Sequence, residues 1–199
     1  MGTNETTKKD GSRDIHARIT PTVIRHLRRY DFANKIIPAG RVLDAACGSG
    51  YGSSIIGESR EYIGVDLSDS AVLFAQKNYC SHQYHIADIN CLPFDANWFD
   101  SVVSFETLEH VPDPVAALKE FRRVLKPGGV LVASVPLLHP DLIHHFKKYC
   151  YSEVIRMFEA VGLSPQSLFV QHHVTFSELT IRPGLPDSSH GTLIIRCYN

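Results

Sequence analysis

The chain has 199 residues, enough to bury a sizeable core and scarcely more than one domain uses. Its 20 Lys and Arg stand against 21 Asp and Glu; the net charge of −1 gives no global attraction to nucleic acid or an acidic membrane, although a local basic patch stays open. Five scattered cysteines, Cys47, Cys80, Cys91, Cys150 and Cys197, lack paired metal-ligand spacing and fit a reduced cytosol. No uninterrupted apolar span approaches bilayer length, and the polar first dozen residues lack a signal-peptide core, so a soluble cytoplasmic protein is expected.

Residues 1–14, MGTNETTKKDGSRD, offer little apolar surface to offset chain ordering and are expected to form a disordered tail; residues 15–199 are expected to form a single domain. Ile19, Val23, Ile24, Leu27 and Tyr30 then recur at mostly helical spacing, with Thr20 and Pro21 as the start. This predicts a covering helix. Arg25, His26, Arg28 and Arg29 lie between the apolar positions; a solvated helix face explains them more commonly than contact with RNA phosphates does.

The most informative stretch is VLDAACGSGYG, from Val42 to Gly52. Val42 and Leu43 suit a buried parallel strand, and Gly48, Gly50 and Gly52 permit a tight turn and close ligand approach. Residues 51–58 then open a helix. A dinucleotide-binding turn has a third glycine where this chain has Ser53. Asp44, just before the turn, would repel a pyrophosphate but suits a ligand carrying an ammonium group. These two departures count against a nicotinamide-dependent oxidoreductase.

Four further pieces follow in order. EYIGVDLS ends a strand in Asp66, close to the spacing after the first glycine expected of a ribose-binding acid. HIADINCLPF sets Asp88 and Ile89 after another short strand. FDSVVSFETLEHV carries Phe105, Glu106 and His110 past a fourth strand, and LKPGGVLVASVP places a Pro-Gly-Gly turn before a fifth. Helices are expected over 69–79, 113–125 and 152–161. Alternating strands and helices imply a parallel sheet covered on both faces. Residues 163–171 and 191–197 read as two closing strands in an antiparallel hairpin with a long connection.

Singly, each piece has a commoner structural explanation, since glycine turns join many strands to helices and acids often cap helices. In sequence, the five resemble the class I S-adenosylmethionine-dependent methyltransferases, in the small, single-domain form called methyltransferase type 11. The resemblance implies an α/β fold: a Rossmann-like three-layer sandwich with a seven-stranded, mostly parallel sheet and an antiparallel last strand. It implies S-adenosyl-L-methionine as cofactor, held by Asp44, Ala46, Cys47, Gly48, Ser49 and Gly50 in the loop, Asp66 and Leu67 at the ribose, Asp88 and Ile89 at the adenine, and Phe105 and Glu106 at the fourth strand's end. Cys47 invites a nucleophile reading, but methyl transfer from a sulfonium needs no covalent enzyme intermediate, and small buried cysteines are common. The acids do not form a shared divalent set, so no metal is expected.

For a hydroxyl acceptor, histidine is the side chain best matched to proton removal near neutral pH. His139, His144 and His145 fall in PLLHPDLIHHFKKYCYSE, where this fold commonly builds part of its acceptor pocket; residues 137–151 are expected to form a lid-like segment. If that segment is helical, His145 and Tyr149 share a face and Asp141 lies one turn before His145. The competing view is an exposed surface anchored by Ile143 and Phe146. His110 is expected to position rather than react. The catalytic candidates are therefore His145, His144, Tyr149 and His110.

The expected function is methyl transfer to oxygen or nitrogen of a small metabolite, such as a sugar or a specialised-metabolism intermediate. RNA methylation and a non-catalytic cofactor-binding protein are the alternatives. No separate RNA-binding domain is evident, which counts against nucleic acid as partner; no membrane association is expected, and a homodimer is left open.

Overall fold

The computed structural model describes residues 21–138, 146–172, 175–179 and 191–199. In chain order the elements are α1 (Pro21–Ile36), β1 (Arg41–Ala45), α2 (Ser53–Ile56), β2 (Glu61–Asp66), α3 (Asp69–Asn78), β3 (Gln83–Ile86), β4 (Phe99–Phe105), α4 (Pro114–Val124), β5 (Leu125–Leu137), α5 (Tyr151–Glu159), β6 (Ser164–His172), β7 (Thr175–Leu179) and β8 (Gly191–Tyr198). One sheet holds all the strands in the order β3-β2-β1-β4-β5-β8-β6-β7. The first five strands pair in parallel, and β8 runs antiparallel between β5 and β6. The expected seven strands are therefore present, and β7 adds an antiparallel edge to β6.

Period-two alternation sorts the strand side chains into two cores. Leu43, Ala45, Val102, Leu131 and Ala133 pack on one face against Leu118 and Phe121 of α4 and Val154 and Phe158 of α5. Val42, Tyr62, Val103, Val130 and Val132 pack on the other against Tyr30 and Ala33 of α1, Ile56 of α2 and Val72 of α3. The result is the three-layer sandwich.

Local chemistry sets the helix starts. Asp113 accepts from the Ala116 N–H at 3.0 Å with Pro114 in the first turn of α4, and Ser68 caps α3 through the Ala71 N–H. Glu153 reaches back to the Cys150 N–H at 3.0 Å to open α5.

Three expectations change. The helix predicted over 51–58 shrinks to α2 followed by a 3₁₀ turn at Gly57–Ser59. The turn at 126–129 lies within β5, which starts directly where α4 ends. There Asn199 closes a bulge: its N–H donates to Gly129 O at 3.0 Å, its carbonyl accepts from Gly128 at 2.9 Å, and its side chain donates to Leu125 O at 2.9 Å. Finally, α1 runs on to Ile36, because Ala33 and Ile37 prolong its buried face. Among the described residues no helix is long and apolar enough to cross a membrane.

Candidate functional site

The strand order reverses between β1 and β4, so the connections leaving their carboxyl ends run to opposite faces of the sheet, which is the usual ligand position in open α/β sheets. The loop after β1 turns through three left-handed residues, Ala46 (φ 66°), Gly48 (φ 55°) and Gly50 (φ 81°). Its Cys47 N–H donates to Val65 O at 2.9 Å, which ties it to β2. A Cβ on Gly50 would come within 2.6 Å of Ala75, whereas one on Gly48 would meet nothing within 4 Å. Gly50 is thus required by packing, and the space over Gly48 is a cradle open to a ligand.

Asp66 sits at the end of β2 beside that cradle. Its Oδ2 accepts from the Gly48 N–H at 2.8 Å and its Oδ1 from the Ser68 N–H at 2.9 Å. Burial raises its pKa while the bonds from Ser68 and Gly48 oppose the rise. The carboxylate therefore fixes the loop and still has lone pairs for further donors. Next to it Leu67 is exposed, an apolar side chain at a ligand edge. Asp88 is also exposed and accepts from the Asn90 N–H at 2.8 Å, while Ile89 is buried beside it.

Asp44 is fully buried beneath the loop. The Tyr62 hydroxyl donates to its Oδ2 at 2.5 Å and Tyr30 also bonds the carboxylate, but among the described residues Oδ1 has no resolved partner. Burial pushes its pKa up to about 7; the tyrosine hydroxyls act against that rise, and Asp66 adds to it. Register explains the arrangement. Asp44 pairs with Gly64, and a Cβ there would crowd Tyr84 and Cys47 at 2.8 Å, so glycine at 64 makes room for both. Cys47 is 3% exposed and burial holds its thiol well above the usual range, which makes it a packing residue of the loop and not a thiolate. Ser49 is buried with its hydroxyl unpartnered among the described residues.

At the end of β4, Phe105 is buried edge-on to Tyr30, with ring centroids 5.0 Å apart. Glu106 takes a left-handed backbone (φ 52°), held by its N–H to the Ser134 hydroxyl at 3.0 Å. The basic helix face predicted for α1 is only partly solvated. Arg28 is exposed, but Arg29 is 3% exposed and its guanidinium points into the sheet edge: Nε donates to Gln171 Oε1 at 2.6 Å and Nη1 lies 3.6 Å from Glu106 Oε1. Sequence reasoning missed Arg29, Tyr30 and Gln171 because their partners lie far along the chain. Tyr62 was within reach, since it alternates onto one face with Gly64 and Asp66.

Of the catalytic candidates, His144 and His145 lie outside the described residues, as do His139 and Asp141. His110 ends a 3₁₀ turn, with Nε2 3.7 Å from the Glu109 carboxylate. Tyr149 is 5% exposed in the core; its backbone bridges Leu137, and burial, then Glu109 and Glu153, raise its hydroxyl pKa. Residues 146–150 are not helical, so the shared helical face expected for His145 and Tyr149 does not form at Tyr149. Extended pairing with the end of β5 replaces it. Among the described residues no group of acids, histidines and cysteines could hold a metal.

Residues 43–133 match the family of the methyltransferase domain. A protein of Mycolicibacterium smegmatis named as a probable S-adenosylmethionine-dependent methyltransferase is 31% identical over 160 residues, 73% of this chain and 61% of that protein. The ubiquinone biosynthesis O-methyltransferase of Coxiella burnetii is 37% identical over 119 residues, 57% of this chain and 48% of that enzyme. The chain spans about two-fifths to three-fifths of the length of the curated relatives it matches. In fold it is similar to the Burkholderia thailandensis 1,6-didemethyltoxoflavin-N1-methyltransferase, solved with S-adenosylhomocysteine, at 18% identity, covering 89% of this chain and 78% of that one with a TM-score of 0.65. The glycine loop and the acids at successive strand ends, Asp44, Asp66, Asp88 and Glu106, all fall within the stretch that matches the methyltransferase-domain family, and the relative that matches along 160 residues is named as a probable S-adenosylmethionine-dependent methyltransferase.

Proposed function

We propose that this chain binds S-adenosylmethionine along the carboxyl ends of β1 to β4 and transfers its methyl group to oxygen or nitrogen of a small metabolite. The observation that carries the cofactor reading is the open cradle over Gly48, bordered by Asp66 and underlain by the Asp44 oxygen that has no resolved partner. A buried carboxylate with an open lone pair suits a cationic ligand and repels a phosphate. Asp66 would accept from ribose hydroxyls, Asp88 from the adenine amino group, and Leu67 and Ile89 would flank the ring. The cofactor supplies an activated methyl on a sulfonium. The protein's task is to align it with the acceptor and keep water away, a contribution that reaches roughly 7–11 kcal/mol in well-oriented systems.

A small acceptor is supported by the relatives, one named for ubiquinone biosynthesis and one for a toxoflavin precursor. His145 is proposed as the acceptor's proton acceptor, with His144 as its neighbouring candidate and His110 in a positioning role; the burial of Tyr149 in the core counts against a direct part for its hydroxyl. The burial of Arg29 removes one cation from the stripe that an RNA-binding reading needs.

Calorimetric titration with S-adenosylmethionine and S-adenosylhomocysteine, with NAD as control, tests the reading. Saturable binding of both sulfur compounds without NAD binding is expected. Binding of NAD alone would redirect the search to hydride transfer. Cofactor binding without turnover on broad acceptor panels would favour a non-catalytic binding protein.

A further inference from the structure

Residues 146–150 run past the carboxyl ends of β4 and β5 and are pinned there. The Phe146 N–H donates to Glu109 O at 2.8 Å, in the 3₁₀ turn Leu108–His110 that follows β4, and the Leu138 N–H at the end of β5 donates to Tyr149 O at 3.0 Å. Lys147 bridges Glu153 at 2.9 Å, and its Nζ lies 5.3 Å from the centre of the buried Tyr149 ring. Lys147 and Tyr149 thus turn to one side, as alternate residues of an extended segment do, and Phe146 falls on the other. Its ring is 69% exposed, more than any other large apolar side chain among the described residues. The anchoring expected of Phe146 falls instead to Tyr149 and to the backbone, and the phenyl ring takes no part in it.

Single apolar residues are ordinary on a surface, so position decides what this one is for. The residues assigned to the cofactor progress from Asp88 after β3, through Asp66 at the end of β2, to the loop after β1. The ends of β4 and β5 are left to the molecule that receives the methyl group. There Phe146 is held by the carbonyl of Glu109, and the next residue along the turn is His110. Val111 and Leu138, which continue that turn and β5, are apolar and half-buried.

We propose that Phe146 sets acceptor specificity: the methyl acceptor carries an aromatic ring that stacks on it, with the reacting hydroxyl or amine toward His110. This rests on the reading that the chain transfers a methyl group from S-adenosylmethionine. Two aromatic rings gain from the apolar area they remove from water and from offset or edge-to-face contact. A phenyl ring offers no hydrogen bond, so the hydroxyls of a polyol laid against it would lose water without a partner. An aromatic alcohol or amine therefore fits this edge better than a sugar does. In the transfer step the acceptor oxygen or nitrogen bonds the methyl carbon as the carbon–sulfur electron pair returns to sulfur, and the acceptor releases its proton.

The test reads binding, because a phenol and an aliphatic alcohol differ in reactivity as well as in shape. Catechol, cis-1,2-cyclohexanediol and methyl glucoside are titrated calorimetrically into the S-adenosylhomocysteine-saturated wild type, Phe146→Leu and Phe146→Ala. The wild type should bind catechol about tenfold or more tightly than either other compound. Phe146→Ala should lose most of that preference and Phe146→Leu part of it, while S-adenosylhomocysteine affinity and melting temperature stay as in the wild type, since the ring is exposed. Equal binding of the three compounds, binding of none of them, preference for the diol or the glucoside, or an unchanged preference in Phe146→Ala would overturn the proposal. Absence of any S-adenosylhomocysteine binding by the wild type would instead reject the cofactor reading on which it stands.

Discussion

Two aspartates at opposite edges of the same sheet show how differently one side chain can be used. Asp100, near the amino end of β4, accepts from Lys126 Nζ at 2.7 Å and from the Arg41 N–H at 2.8 Å. Partial burial would raise its pKa, but Lys126 and Arg41 outweigh that and leave it below the ordinary value. Asp44, near the carboxyl end of β1, is fully buried, has an oxygen without a resolved partner among the described residues, and is driven the other way, up to about 7. The amino edge is satisfied within the fold, whereas the carboxyl edge holds polar groups the fold leaves incomplete. A ligand completes the second kind of site and has nothing to offer the first.

That contrast breaks most visibly at the carboxyl edge. Asp66→Ala removes an acceptor and frees the Gly48 and Ser68 N–H groups it holds. With charge-assisted hydrogen bonds worth about 1.5–3 kcal/mol, S-adenosylhomocysteine affinity should fall roughly tenfold to hundredfold by calorimetry. Unchanged affinity would remove Asp66 from the cofactor site.

Asp44 gives the next effect, and its sign follows from the raised pKa. The folded protein holds this proton more tightly than the unfolded chain, so stability from this group is full below its ordinary value of 3.8 and declines as pH rises through about 7. Asp44→Asn lacks an ionisable group there. The variant should melt above the wild type at pH 8, with the difference shrinking toward pH 5, and its S-adenosylhomocysteine affinity should lose the rise with pH expected of the wild type through neutrality. A melting difference of the same size at both pH values would contradict the assignment.

The smallest effect belongs to the amino edge. Asp100→Asn weakens a partly exposed ion pair worth up to about 1 kcal/mol, more at low salt than at high. Because the pKa of Asp100 is lowered, that contribution is present at neutral pH and lost as pH falls through its folded value. Cofactor affinity should stay within about twofold of wild type. A marked loss of affinity would mean that the two edges are not independent.

Much of the carboxyl edge was legible in the sequence because its parts are local. The glycines sit where the loop turns left-handed, and Asp66 and Asp88 follow their strands. Asp44 was recognised as a carboxylate suited to a cation from its place before the turn. The early expectation that Arg29 lay on a solvated face failed because helical periodicity assigns a face without saying how wide the covered stripe will be. Its partners Gln171 and Thr192 lie 142 and 163 residues away, beyond any local pattern. Tyr149 failed as a helical partner for a similar reason: pairing with Leu137 at the end of β5 overrides spacing along the chain.

The sequence by itself determined the order of strands and helices, the glycine loop and the acids that follow the strands, because turn chemistry, periodicity and strand-end position act over a few residues. Tertiary structure alone decided which of those acids stay incomplete, how Tyr30 and Tyr62 converge on Asp44, and that Arg29 turns inward to Glu106. Those outcomes depend on desolvation and on charges brought together from distant segments, and neither exists until the sheet has closed.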